Sequence, residues 1–336
     1  MRSLWRVGCV CLVAVGCGPD VKKVDTAVGE CGFTLKAEYP ENGAVNVYNR
    51  TTIDVEITGD AAGAAMVVTD AAGATVVGTV ATNERHAYFV AAEPLSDGLV
   101  SVAWELPCGM VGAFSFTVVG GSSPVAAGAI VGRSYVLGLN TGNFIIPDGM
   151  GDALEVTLEY DLLIGVLAWD GGATFDMIGA VSTTLGDGEG VQQPCTPSIP
   201  FAEPAEFSAN PYFSVHTDVL PIVVSGSTVE VADLTLTGTF AADGSSIDNA
   251  TLSGIIDTRS LSVSGETGAP ADPAEACNLF SDTYRIICEE CSAPFDPGPY
   301  CLTLLACEYA MPESVVGELV LKTEASIAAD GACDGV

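Results

Sequence analysis

The residues with most chemical potential are the cysteines. Cys288-Glu289-Glu290-Cys291 has the spacing of a metal-binding or redox pair, and Cys277, Cys301 and Cys307 lie close to it. A zinc ribbon needs a second close pair, but Cys301 and Cys307 are separated by five residues and no histidine is near. Dithiol redox chemistry needs a stabilised thiolate, which Glu289 and Glu290 between the two sulfurs oppose. Structural disulfides are therefore expected of Cys277, Cys288, Cys291, Cys301 and Cys307, in a pairing that spacing alone leaves open.

Other catalytic material is scarce. The chain has 2 His, His86 and His216, each inside a strand-like run, so Ser/His/Asp or Cys/His catalysis has little to work with. No G-x-S-x-G, H-E-x-x-H or phosphate-binding glycine loop occurs. No catalytic residue, metal or cofactor is expected. Paired carboxylates leave no local motif, and 43 Asp and Glu offer many pairs, so a carboxylate hydrolase is the rival reading. Asp148-Gly149-Met150-Gly151-Asp152 and Asp187-Gly188-Glu189 bring carboxylates and flexible carbonyls together, yet neither fits a calcium loop, and both read as solvated turns. Trp104 and Trp169 each end an alternating strand and are expected in the core rather than on a sugar-binding face.

These residues are carried by a very acidic chain. Eleven basic against 43 acidic residues leave a net charge of −32 over 336 residues, a field that repels nucleic acid. Abundant Gly, Val, Thr and Ala point to an all-β protein.

Residues 1–16 carry Arg2, Arg6 and an apolar run from Val7 to Val15, the pattern of an export signal, too short for a spanning helix. Val13-Ala14-Val15-Gly16-Cys17 resembles the lipobox of bacterial lipoproteins, with Ala14 where that family prefers Leu. The resemblance implies cleavage before Cys17, a diacylglyceryl group on its sulfur and a further acyl chain, such as palmitate, on its amino group. More than one buried chain gives stable attachment. Gly18 after the cysteine implies, by the same likeness, the outer membrane of a Gram-negative bacterium. The later apolar run Leu162–Trp169 is too short to span and is flanked by Asp161 and Asp170.

After a linker over 17–30, strand-like runs over 31–119 recur at the spacing of a sandwich. In Thr52-Ile53-Asp54-Val55-Glu56-Ile57, Ile53, Val55 and Ile57 are expected to face a core while Asp54 and Glu56 face water. Ala65–Thr69 and Thr75–Val80 flank Asp70-Ala71-Ala72-Gly73 as a hairpin. Tyr39-Pro40-Glu41-Asn42-Gly43-Ala44-Val45-Asn46-Val47 resembles the opening of SbsA-type bacterial Ig-like domains, a similarity that covers about a quarter of the chain. It implies a sandwich whose first and last strands meet in parallel. That would bring Cys31 and Cys108 to one end as a disulfide worth about 4 kcal/mol.

A second linker over 120–125 leads to a β-rich domain over 126–336, read as a large sandwich or barrel-like sheet with a Cys-rich segment over 271–310. Val229–Phe240 and Asn249–Asp257, joined through Asp243-Gly244, predict a long hairpin. Asp272-Pro273-Ala274-Glu275 marks a helix start that places Cys277, Phe280 and Tyr284 on one face. Ser314–Ile327 reads as a final strand. An integral outer-membrane barrel is disfavoured because Cys333-Asp334-Gly335-Val336 lacks the aromatic end of that class. The expectation is a lipid-anchored, non-catalytic envelope protein in which an Ig-like spacer presents a β domain to an envelope protein or glycan.

Overall fold

The computed structural model describes residues 32–83, 85–119, 123–151, 160–183, 190–224, 227–261 and 272–333. The expected signal, Cys17, Cys31 and much of both linkers lie outside these residues. The protein is all-β.

The first domain comprises β1 (Leu35–Tyr39), β2 (Ile53–Ile57), β3 (Ala65–Thr69), β4 (Gly78–Asn83), β5 (His86–Ala91), β6 (Gly98–Glu105) and β7 (Val111–Val118). They form two sheets, β1-β2-β5-β4 and β3-β6-β7. This is the strand order of a constant-type immunoglobulin sandwich. Ile53, Val55 and Ile57 face inward with Phe89, Val102, Trp104 and Phe116, as the alternation predicts. Beyond β1 the chain runs alongside β7 in parallel. Val47 bridges Val118, and the Val47 N–H donates to the Thr117 carbonyl at 3.1 Å. Cys108 is disulfide-bonded, to a partner outside the described residues.

Two expectations for this domain are corrected. The turn at Asp70–Gly73 forms and Thr69 bridges Thr75, but the hairpin stops there. Val76 packs into the core as the chain crosses between the sheets, so β4 pairs with β5 instead of β3. Asp54 does not face water: it is 3% exposed. The outer face of β2 and β5 is covered by the second domain, which strand alternation cannot report.

The second domain comprises β8 (Ser134–Leu137), β9 (Asn143–Ile146), β10 (Leu162–Ala168), β11 (Thr174–Val181), β12 (Ile199–Pro200), β13 (Ala205–Glu206), β14 (Tyr212–Val224), β15 (Ser227–Phe240), β16 (Ser246–Asp257) and β17 (Cys301–Pro312). One antiparallel sheet runs β8-β10-β11-β13-β14-β15-β16-β17-β9, with β12 beside β11. The sheet curls until its ends approach. Glu313, just past β17, bridges Tyr135 of β8, the Ser314 N–H donates to the Ser134 carbonyl at 2.7 Å, and Arg133 pairs with Glu313 at 2.9 Å. The β15–β16 hairpin turns at Asp243-Gly244 as predicted. Gly244 has φ +72°, and a Cβ there would lie 2.0 Å from the Ala129 carbonyl oxygen. Only glycine meets both demands.

The helix after Asp272 spans Glu275–Leu279, with the Asp272 carboxylate accepting from the Ala274 N–H. Ser314–Ile327 is not the expected strand. It crosses the outside of the sheet, where Leu319 is buried with Val136, Leu163 and Ile178. The Gln192 side chain binds both backbone groups of Val320, Ser198 binds the Lys322 N–H, and a helical turn follows at Glu324–Ala328. With side chains meeting its backbone groups, the segment has no ladder to join.

Besides the bridge made by Cys108, three disulfides have both ends among the described residues: Cys277–Cys288, Cys291–Cys301 and Cys195–Cys333. Cys288 and Cys291 therefore serve two different bridges, which leaves neither a zinc knuckle nor a dithiol pair. Cys307 is the correction: expected among the bridged cysteines, it is a buried free thiol, and Cys195 pairs with Cys333 instead.

Candidate functional site

The interior of the curled sheet has two unlike ends. At one, Tyr135, Phe175, Phe207, Phe213 and Phe240 pack with ring centroids 5.0–5.8 Å apart, mostly edge to face. Trp169 closes on Phe207 at 4.9 Å, and its indole N–H donates to the Gly172 carbonyl. Of the two tryptophans expected in cores, Trp104 is buried in the sandwich, whereas Trp169 is only partly buried and packs against the edge of this cluster. At the other end the fill is mostly aliphatic, with Phe144 and Phe201 among it. Leu137, Leu162, Leu220, Leu236, Leu252 and Leu304 are among the residues lining a cavity of about 100 Å³, and every lining residue is apolar.

Rigid rings fill the first end, whereas branched chains projecting from opposing strands leave the second unfilled. A barrel of about eight strands is wide enough to be filled by side chains or to hold one small ligand. The cavity is comparable to an apolar void of about 150 Å³ that stays dry and binds benzene, and smaller than the roughly 300–1,000 Å³ of a drug-sized pocket. It suits a single small ring or the tip of an alkyl chain. No titratable side chain lines it, so it offers an apolar group burial rather than acid–base chemistry.

A second buried region lies where the domains meet, and its chemistry is the opposite. Asp54 and Glu56 on β2 stand opposite Tyr88 and His86 on β5, so all four share the outer face of the sandwich. His86 Nδ1 meets Asp54 Oδ2 at 2.8 Å, with both side chains under 5% exposed. β17 faces them. Its register against β16 shifts between Ala250 and Leu252, a bulge that sets Cys307 and Glu308 out of the regular ladder. The Cys307 thiol is bonded to the hydroxyls of Thr52 and Thr251, and burial pushes it up to about 12, so it stays protonated. Burial likewise raises Glu308 to about 7 against the opposing hydrogen bond from Asn143, with the Asp54 charge adding to the rise.

Further bonds cross the junction. The Tyr48 hydroxyl donates to Asp248 at 2.9 Å, the Arg50 guanidinium lies 4.2 Å from the Tyr212 ring centre, and Asn83 donates to the Ile145 carbonyl. Arg85 pairs with Asp148. Asp148 is thus not the solvated turn residue the sequence implied, its side chain being 18% exposed. Asp152 and Asp187-Gly188-Glu189 lie outside the described residues. Beside Glu308, a groove of about 390 Å³ is lined by Tyr39, Glu41, Tyr48 and Asn249 among others. His216 lies elsewhere, exposed with Asp218 and Asp233.

Of the cysteines singled out in the sequence, Cys277, Cys288, Cys291 and Cys301 staple the segment between β16 and β17, whose Ala276, Phe280 and Ile286 join the interior core, and none of the four lines the cavity or the groove. Sequence reasoning missed Asp54, His86 and Glu308 as buried polar groups. A Glu56–His86 or Asp54–Tyr88 pairing across strands has no local signature, although a histidine within an apolar alternation was a signal that this face is not ordinary surface. Among the described residues, no helix is long and apolar enough to cross a membrane. Comparison with protein-family models and with curated proteins found no match.

Proposed function

We propose that the protein is a lipid-anchored component of the cell envelope, held through Cys17, in which the Ig-like domain is a spacer braced against a β domain that binds an apolar group of an envelope ligand. The leucine-lined cavity carries this reading: it removes apolar surface from water at about 25 cal/mol per Å² and presents no group for proton transfer. The export signal and the lipobox-like Cys17 support the location, and the disulfides suit an oxidising compartment.

Organic extraction of natively purified protein followed by mass spectrometry tests the binding. A stoichiometric apolar compound is expected from the wild type and not from Val231→Phe, which fills the cavity; an empty wild type in every preparation refutes it. Labelling with radioactive palmitate tests the anchor, because label equal on wild type and Cys17→Ala removes the lipoprotein assignment.

One observation favours a second reading, a carboxylate hydrolase. Glu308, raised to about 7, shares the junction groove with Glu41, as a general acid shares a cleft with a second carboxylate. Hydrolysis of envelope glycans that is lost in Glu308→Gln would select it.

A further inference from the structure

His86, Glu56 and Asp148 bring a ring nitrogen and two carboxylate oxygens within 4.8 Å of one another where β2, β5 and the turn after β9 meet. The histidine is 2% exposed. Its Nδ1 is engaged by Asp54, while Nε2 is buried with no partner. A buried polar atom left unpaired is costly, and native structures keep few of them. A carboxylate on one imidazole nitrogen with the other lone pair vacant is how metal-binding histidines are oriented and made more basic.

We propose that Glu56, His86 and Asp148 bind a divalent cation of the zinc type, oriented by Asp54, which fastens the Ig-like sheet to the second domain. The mixed nitrogen and carboxylate set suits Zn²⁺, whereas Ca²⁺ calls for six to eight oxygens. Ligand atoms roughly 2.0–2.2 Å from a tetrahedral ion lie about 3.4 Å apart, so small side-chain rotations close the observed spread. In the ion-free protein the Arg85 guanidinium supplies the positive charge beside Asp148, and the cation displaces it. Lys36 flanks Glu56 at 3.6 Å from the more exposed side. The inference does not rest on the apolar cavity.

The test is calorimetric titration of the chelator-treated full mature protein with Zn²⁺ alone. His216→Ala is the background, because His216, Asp218 and Asp233 form an exposed competing cluster. One site with a Kd of about 1 µM or tighter is expected, weakened at least about tenfold by Glu56→Gln, Asp148→Asn or Asp54→Asn. These substitutions keep side-chain shape, and circular dichroism verifies the fold. Arg85→Ala is expected to tighten binding severalfold, an effect that a purely structural ion pair would not give. No saturable binding at about 100 µM Zn²⁺, or a change below about threefold in the Glu56→Gln/Asp148→Asn double variant, overturns the proposal.

Discussion

The interior of the curled sheet and the junction between the domains are both shielded from water, yet one encloses a cavity with a wholly apolar lining while the other holds Asp54, His86, Cys307 and Glu308. The interior obeys the rule that apolar area leaves water. The junction arises differently: a strand face with the alternation of solvent-facing surface has been covered by a second domain. Buried ionisable groups are rarely the cheapest way to hold two surfaces together, since desolvation offsets much of their attraction. A polar junction is thus a poorer adhesive than an apolar one, and its polarity calls for a use. The interior needs no such use to explain its chemistry; there it is the unfilled volume that needs one.

The contrast can be broken hardest at the aromatic end of the interior. Phe240, fully buried against Tyr135, Phe175, Phe207 and Phe213, should cost about 4 kcal/mol on truncation to alanine, read from urea unfolding. At the junction, Asp54→Ala strips His86 of its buried partner and should cost about 3 kcal/mol, with Asp54→Asn losing clearly less because it keeps a hydrogen-bond acceptor. If Asp54→Ala were neutral, the pair would be ornamental and the junction would be ordinary surface.

Glu308 sharpens the same comparison through pH. Its folded-state pKa is raised from 4.5 to about 7, so the fold favours the protonated form. The stabilisation is fully present below the unfolded value near 4.5 and is lost as pH rises through about 7. By linkage the effect is about 3 kcal/mol across that window. The difference in stability between wild type and Glu308→Gln should therefore grow from pH 4.5 to pH 8, with the variant the more stable at pH 8. A difference that stays constant over the window contradicts the burial of this carboxyl.

The smallest effect separates the two ends of the interior. Val231→Phe, placed in the cavity wall, should change stability by less than about 1 kcal/mol or raise it, because there is room for the ring. Ala205→Leu, at a fully buried position in the densely packed part of the core, should cost about 1–3 kcal/mol by overpacking. Equal costs at both positions would mean the interior is uniformly filled.

What the residues announced in advance was local. Ile53, Val55 and Ile57 marked a sandwich core by alternation, and Asp243-Gly244 marked the β15–β16 hairpin of the second domain because a left-handed glycine is a property of one turn. The fate of Asp54 and Glu56 was hidden, since alternation separates the inside of one sandwich from its outside but not open surface from surface under another domain. Sheet closure through Tyr135 and Glu313 joins positions 178 residues apart, beyond any local pattern. Cysteine pairing stayed open for the same reason, and only the fold shows that Cys307 is left without a bridge. The cavity was least legible of all, because a void belongs to the fit among many side chains and to no residue in particular.

The most direct test of the central claim, that the curled β domain receives an apolar group in its leucine-lined end, is equilibrium titration of the purified mature protein with a fluorescent alkyl-chain probe, comparing wild type with Val231→Phe. The account predicts saturable one-site binding to the wild type and none to the variant, which stays folded with a stability within about 1 kcal/mol of the wild type or above it. Binding of equal affinity to both, or no saturable binding to a wild type first stripped of bound compounds, would contradict it.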